Sequence, residues 1–251
     1  MNIKTAEKFS VNEIIRIHTL MAEHFARFAD PVSPPGVKDR AMLESAAARP
    51  FQTVERKAAY GTIYQKAAAL FHGLIQNHPF YNGNKRTALI AAQILLARQN
   101  LWLHNTYDEE LFEFTRKTAA HELSDRKENE VADIAEWFAA RTRKVKKGGR
   151  PLTYRALRNI LERLGFTIDE PRGELLNIYK QGHYVDRVIK RGVQGFAPYD
   201  IDYIAGLRKR LGLVPENGCD STVFYGAEDF DAMISELIDL RIEIMERLAK
   251  I

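Results

Sequence analysis

The chain has 251 residues, and 45% of them are apolar, so it can bury a substantial core without disulfides or a structural metal. Its single cysteine, Cys219, excludes an intramolecular disulfide and fits a reducing compartment. The most apolar stretch, residues 87–97, is too short to span a bilayer, and residues 1–10 lack the apolar run of a secretory signal. We therefore expect a soluble, cytoplasmic protein without a membrane segment.

The net charge of +4 comes from one short stretch. Residues 1–140 hold 17 basic and 17 acidic side chains, residues 141–150 hold six basic and no acidic ones, and residues 151–251 have a net charge of −2. A basic run can touch phosphates, but most such runs are simply solvated. We therefore do not expect nucleic-acid binding, except through residues 141–150.

The first half of the chain is predicted to form a series of helices. Ser10 followed by Glu13 is a capping-box pattern, and three prolines within residues 30–36 must end the helix that it starts. Apolar residues at helical spacing then predict helices near 42–48, 64–77, 84–99, 108–123 and 128–143. The expected fold of this half is mainly α.

A domain boundary is predicted where the basic run meets glycine and proline, so that residues 144–151 form a basic, glycine-containing linker. The predicted domains are therefore residues 1–143 and residues 152–251. In the second domain, Thr153 is expected to cap a helix that ends at Gly165.

The rest of the second domain reads as a small α+β structure. Two short strands are predicted at 166–168 and 175–179, followed by a glycine- and tyrosine-rich segment and a short helix near 203–211. A long amphipathic helix is predicted over 228–250. Its apolar stripe would pack on its own domain or, in a homodimer, on a second copy of the chain.

The stretch with the clearest chemistry is NHPFYNGNKRT, residues 77–87, between two apolar helices. Gly83 permits a backbone turn with positive φ, so the second helix starts near Asn84. The free N–H groups at a helix start bind anions, and Lys85 and Arg86 add two positive charges there. The pattern predicts a phosphate-binding site.

Two residues on the other side of this loop complete the prediction. His78 is able to accept a proton from an incoming hydroxyl near neutral pH. Phe80 is expected to be buried and to anchor the loop to the core. A base beside a phosphate-binding site is typical of phosphoryl or nucleotidyl transfer.

The residues HPFYNGNKRTAL closely resemble the motif of the Fic/Doc family. The resemblance is strongest to the death-on-curing branch, in which NKR stands in place of NGR. Residues 36–51, 66–80 and 130–141 also resemble segments of that branch, so the similarity covers about residues 1–143. It implies a Fic/Doc helical core, followed here by the small α+β domain.

The resemblance also implies a role for each loop residue. His78 would deprotonate the target hydroxyl. The nucleotide phosphates would be held by Gly83, Asn84, Lys85 and Arg86.

Asn82 occupies a position at which the family usually has an acidic residue that contacts magnesium. An amide oxygen can coordinate a metal but supplies no charge. The resemblance therefore implies ATP as a substrate and Mg²⁺ as a cofactor, with a weakened protein contribution to the metal.

The resemblance leaves three functions open. Because Lys85 follows the death-on-curing pattern, we favour a kinase that phosphorylates a Ser or Thr hydroxyl of a target protein, such as a translation factor, as the toxin of a toxin–antitoxin pair. The alternatives are AMP transfer to Ser, Thr or Tyr, and a catalytically degenerate scaffold that binds or regulates a partner. Residues 124–129 match the family's inhibitory pattern, which we interpret as chance, so control is expected from an antitoxin chain or from residues 152–251.

Overall fold

The computed structural model describes residues 9–103, 106–144, 149–170, 172–191, 198–226 and 230–251. These residues form eleven α-helices and three small antiparallel sheets, which confirms the mainly α fold. Within them, no helix is long and apolar enough to cross a membrane. The chain divides into two compact units: unit 1 comprises Met1–Lys144 and Arg241–Ile251, and unit 2 comprises Val145–Leu240.

Unit 1 contains the predicted helical core. Its elements up to residue 144 are α1 (Val11–Phe25), α2 (Arg40–Ala48), β1 (Thr53–Val54), β2 (Lys57–Ala58), α3 (Ile63–Gln76), α4 (Asn84–Ala97), β3 (Leu101–Leu103), α5 (Asp108–Ala120), α6 (Glu130–Arg141) and β4 (Thr142–Lys144). Helix α3 packs against both α4 and α6, and α3 and α4 are buried over most of their lengths. The loop with the predicted chemistry therefore joins the two central helices of the core.

Side-chain caps explain where several of these helices begin. The predicted capping box of Ser10 and Glu13 is confirmed at the start of α1. Asp39 caps α2 by accepting a hydrogen bond from the Met42 N–H at 3.0 Å. Gly73 lets α3 approach α2 closely, because a Cβ there would lie 3.4 Å from the Ala46 backbone.

Unit 2 is the predicted α+β structure. It contains α7 (Tyr154–Arg163), β5 (Phe166–Ile168), β6 (Leu175–Lys180), β7 (His183–Ile189), α8 (Ile201–Arg210), α9 (Ser221–Tyr225) and α10 (Phe230–Leu240). Thr153 caps α7 as predicted, and the sheet has the antiparallel order β5-β6-β7. Its core includes Leu157, Phe166, Ile178 and Val188. Residues 145–148 of the predicted linker lie outside the described residues.

Strand β7 was not predicted, because its residues were interpreted as part of the irregular glycine- and tyrosine-rich segment. It pairs with β6 through a two-residue turn in which Gln181 and Gly182 both have positive φ, at 52° and 81°. Positive φ at both turn positions is typical of tight β-hairpins. The glycine that suggested an irregular segment therefore belongs to the hairpin turn.

The prediction of one long helix over residues 228–250 was wrong. The chain leaves helical geometry at Arg241, whose φ and ψ are −121° and 22°, and a separate helix α11 (Ile242–Leu248) follows. Helix α10 belongs to unit 2, whereas α11 packs against α4 and α5 in unit 1. The break falls where the chain passes from unit 2 to unit 1, so residues 241–251, which the predicted division placed with 152–240, belong to unit 1. The apolar residues of α11 are buried within unit 1, so the expectation that the whole stripe packs on the second domain was wrong for these residues.

Candidate functional site

The loop between α3 and α4 is closed by the side chain of Asn84. Its amide nitrogen donates to the Phe80 carbonyl oxygen at 2.9 Å, and its amide oxygen accepts from the Phe80 N–H at 2.9 Å. Phe80 itself is buried. Asn84, predicted as a phosphate ligand, thus also fixes the shape of the loop.

Residues 36–39 lie beside the loop like a short antiparallel strand. Val37 forms an isolated β-bridge with Phe80, and the Tyr81 N–H donates to the Gly36 carbonyl oxygen at 3.2 Å. The Pro79 carbonyl oxygen accepts from the Lys38 and Asp39 N–H groups at 2.8 and 3.1 Å. The loop backbone is therefore held along its length.

His18 of α1 lies under the loop and was missed in the sequence. Its ring stacks on Phe80 with centroids 4.0 Å apart, Nε2 accepts from the Gly36 N–H at 3.0 Å, and Nδ1 lies 3.2 Å from the Thr87 hydroxyl oxygen. Burial, aided by the charge of Arg86, lowers the pKa of His18 to about 4. The only sequence signal was a histidine among the apolar positions of α1.

Gly83 starts α4 in a left-handed conformation, with φ at 74°. A Cβ there would lie 3.1 Å from Val32 and 3.6 Å from the His18 ring, so any larger residue would be strained and crowded. As the N-cap of α4, Gly83 provides no side chain to bond the first-turn N–H groups. Those donors are left for a ligand, which favours anion binding.

Arg86 in the first turn of α4 is buried, with only 1% of its surface exposed. Its Nη1 donates to the Asp30 carbonyl oxygen at 3.3 Å, and its Nε has no hydrogen-bond partner among the described residues. Burial lowers the pKa of Arg86, while the charge of Asp30 acts in the opposite direction. Burying a cation with an unpartnered donor lowers the free energy of unfolding unless an anion binds it.

Lys85 extends into the same site, and burial lowers its pKa. Its ammonium donates to a main-chain oxygen of Ile251, which follows α11, at 2.6 Å. The cavity here has a volume of about 110 Å³. It is lined by His78, Tyr81, Asn82, Gly83, Asn84, Lys85, Arg86, Leu248 and Ile251. The structure thus brings every predicted site residue except buried Phe80 to one cavity, and adds three residues that were not predicted, Tyr81, Leu248 and Ile251.

His78 is an exposed residue at the cavity and has a left-handed backbone, with φ at 46°. Partial burial of its ring, together with the charges of Lys85 and Lys38, lowers its pKa. A lowered pKa keeps the imidazole neutral near pH 7, which is the form that accepts a proton.

Asn82 is already hydrogen-bonded at both ends of its amide. Its oxygen accepts from the Gly83 N–H at 2.6 Å, and its nitrogen donates to the Ser33 carbonyl oxygen at 3.0 Å. Among the described residues, the cavity lining contains no Asp or Glu side chain. The positive charges of the lining suit an anion, but the lining does not offer the side-chain carboxylate that Mg²⁺ usually takes from protein.

A second group of titratable side chains lies elsewhere in unit 1. His72 Nε2 lies 2.9 Å from a carboxylate oxygen of Glu130, and His121 Nδ1 lies 2.9 Å from both of its oxygens. Arg49 Nη1 lies 3.0 Å from His72 Nδ1, and because arginine can only donate, the His72 proton must be on Nε2. The three potential metal ligands lie within 4.8 Å of one another, but a protonated Nε2 cannot bind a metal. This cluster is therefore a hydrogen-bonded structural network.

The fold and the cavity define a helical protein in which one loop carries an exposed histidine and leads into a helix start without a side-chain cap. The model of the Fic/DOC family matches residues 8–96, so this part of the chain is similar to that family. Toxin Doc of Mycolicibacterium smegmatis (strain ATCC 700084 / mc(2)155) is 42% identical over 72 residues, which are 29% of this chain and 55% of that protein. The chain therefore matches about half the length of this relative, and the family match does not extend into unit 2.

Proposed function

We propose that unit 1 transfers a phosphate-containing group from a nucleotide to a hydroxyl group of a target protein. The observation that carries the proposal is the buried Arg86, whose Nε lacks a partner, at an uncapped helix start that faces the cavity. Such a site favours an anion through its free N–H groups, the helix dipole and a desolvated cation. A nucleotide phosphate supplies this charge.

His78 acts as the general base. Its lowered pKa and its place at the cavity suit it to accept the hydroxyl proton. As the proton moves to the imidazole, the hydroxyl oxygen bonds to phosphorus and the bond from phosphorus to the leaving part of the nucleotide breaks. Lys85, Arg86 and the first N–H groups of α4 stabilise the negative charge on the phosphates.

ATP is the proposed substrate, and the favoured reaction is transfer of its γ-phosphate to a Ser or Thr hydroxyl. Support for this direction comes from Lys85, which follows the death-on-curing pattern, and from the similarity to a protein named Toxin Doc. We extend the proposal to a toxin that acts on a cytoplasmic target and is neutralised by an antitoxin chain. Magnesium would reach the site bound to the nucleotide phosphates rather than to a carboxylate of the cavity.

The test is label transfer to proteins of a cell lysate from ATP labelled at the α- or the γ-phosphate. The wild type is compared with His78→Ala and with a matched control, His183→Ala, in which an exposed histidine of unit 2 is replaced. We expect γ-label to be incorporated by the wild type and the control, and to fall by roughly 10²–10⁴-fold in His78→Ala. Label from the α position would instead establish AMP transfer, and equal labelling by all three proteins would overturn the proposal.

A further inference from the structure

We propose that His18 is a positioning residue of this site, which holds the loop from beneath in the conformation that transfer requires. Its kinetic consequences rest on the function proposed above. Its geometric basis does not, because every contact that carries it lies within unit 1.

His18 joins three separate parts of the site. Its ring stacks on Phe80 with an interplanar angle of 9°, and its two nitrogens face the Gly36 N–H and the Thr87 hydroxyl. Phe80 belongs to the loop, Gly36 to the segment that pairs with the loop, and Thr87 to the first turn of α4. Few other side chains of this size offer a flat face and two polar edges.

The hydrogen bonds determine the protonation state of the ring. Because the Gly36 N–H is a donor, Nε2 must accept, so the neutral ring carries its proton on Nδ1 and can donate it to Thr87. A doubly protonated ring would place an N–H against the Gly36 N–H and add a charge near Arg86. The neutral form is therefore the one that holds the loop.

His18 is only 2% exposed, which separates its role from that of exposed His78. A buried ring with both nitrogens engaged cannot take a proton from a target hydroxyl. Its effect on transfer must pass through the residues that it contacts. The size of the ring also matters, because its Cε1 lies 3.6 Å from the position of a Cβ on Gly83.

Three variants separate the contacts of the ring. His18→Gln places an amide oxygen near the position of Nε2 and can keep the bond from Gly36. His18→Asn places its amide near Nδ1 and keeps only the contact with Thr87. His18→Phe keeps the stacking on Phe80 and loses both hydrogen bonds, and His24→Gln is the matched control on the same helix.

Each variant is measured for kcat of label transfer, for the Kd of ATP and for its Tm, at a temperature well below every Tm. We expect His18→Phe and His18→Asn to lower kcat by about tenfold or more while the Kd of ATP changes less than about threefold. We expect His18→Gln to keep most of the wild-type kcat. A purely structural residue would instead lower Tm and leave kcat per folded molecule unchanged.

The opposite results would overturn the proposal. Wild-type kcat in His18→Phe would show that the loop does not need His18, and equal loss in His18→Gln would contradict the acceptor role of Nε2. If the wild type itself transfers no label, the proposed function fails but the positioning role remains testable. Hydrogen exchange of peptides containing Gly36 and Phe80 should then be faster in His18→Phe and unchanged in His18→Gln, and equal protection in both would exclude the role.

Discussion

Two buried polar clusters of unit 1 meet their hydrogen-bonding needs in different ways. In the first, His72 and His121 both bond to Glu130, and Arg49 bonds to the far side of His72. In the second, beneath the loop, the buried cation of Arg86 has one long hydrogen bond to a backbone carbonyl and an unpartnered Nε.

The difference identifies which cluster is prepared for a ligand. Both clusters contain at least one histidine and an arginine, so these residue types alone do not separate them. In the first cluster, the Glu130 carboxylate accepts hydrogen bonds from both histidines, so the donors that face it have a partner within the protein. Such a cluster serves only stability. The second holds a buried cation to which no carboxylate is hydrogen-bonded, and such a deficit suits a place where an anion is to be bound.

Of the variants that test this comparison, Arg86→Met should show the largest effect, which is on the Kd of ATP. Removing a charge-assisted contact to phosphate should raise the Kd of ATP by roughly 10–100-fold. The free energy of unfolding should stay the same or rise, because a buried cation with no hydrogen bond to a carboxylate is replaced by an apolar chain of similar length. Isothermal titration and chemical denaturation measure the two effects.

A matched control for this variant is Arg98→Met at the other end of α4, where the arginine pairs with Glu13. It should leave the Kd of ATP unchanged. A large loss of stability in Arg86→Met, with unchanged ATP binding, would mean that Arg86 is structural and would remove the contrast between the clusters.

Glu130→Gln tests the first cluster. The amide that replaces the carboxylate has one acceptor oxygen, and its NH₂ group would face donors from His72 and His121. We expect the free energy of unfolding to fall by roughly 2–4 kcal/mol in urea denaturation, with no change in the Kd of ATP. A comparable loss of ATP binding would show that the two clusters are coupled.

The pH dependence of stability provides a third comparison, between the wild type and His18→Gln. The folded state lowers the pKa of His18 from 6.5 to about 4, through burial and the charge of Arg86. Between pH 6.5 and 4, the unfolded chain is protonated at His18 and the folded protein is not. The contribution of neutral His18 to the free energy of unfolding is therefore present above pH 6.5 and is lost as the pH falls toward 4.

Wild-type stability should thus fall by roughly 1–3 kcal/mol more than that of His18→Gln between pH 6.5 and 4.5. Urea denaturation at a series of pH values measures the difference. Parallel pH profiles would show that His18 titrates normally in the folded protein, and would argue against the tautomer that its contacts with Gly36 and Thr87 require.

The sequence predicted the parts of this molecule that depend on local signals. Ser10 and Thr153 each accept a hydrogen bond from an N–H three residues further along the chain, so predicting these caps requires no tertiary structure. His18 could not be found in this way, because its partners at Gly36 and Thr87 are 18 and 69 residues away. The break at Arg241 could not be predicted for a similar reason, since an apolar stripe does not show which part of the protein its residues pack against.

The smallest expected effect concerns the contact between the ammonium of Lys85 and a main-chain oxygen of Ile251. A phosphate that binds Lys85 must replace this contact, which costs about as much as one exposed hydrogen bond. Deleting residues 249–251 should therefore lower the Kd of ATP by roughly two- to fivefold. Ile251→Ala, which keeps the main-chain oxygen, should change it less. A higher Kd after the deletion would mean that these residues form a wall of the nucleotide site rather than compete with its phosphates. The Lys85 ammonium would then be satisfied within the protein, as the histidines around Glu130 are, and unlike the guanidinium of Arg86.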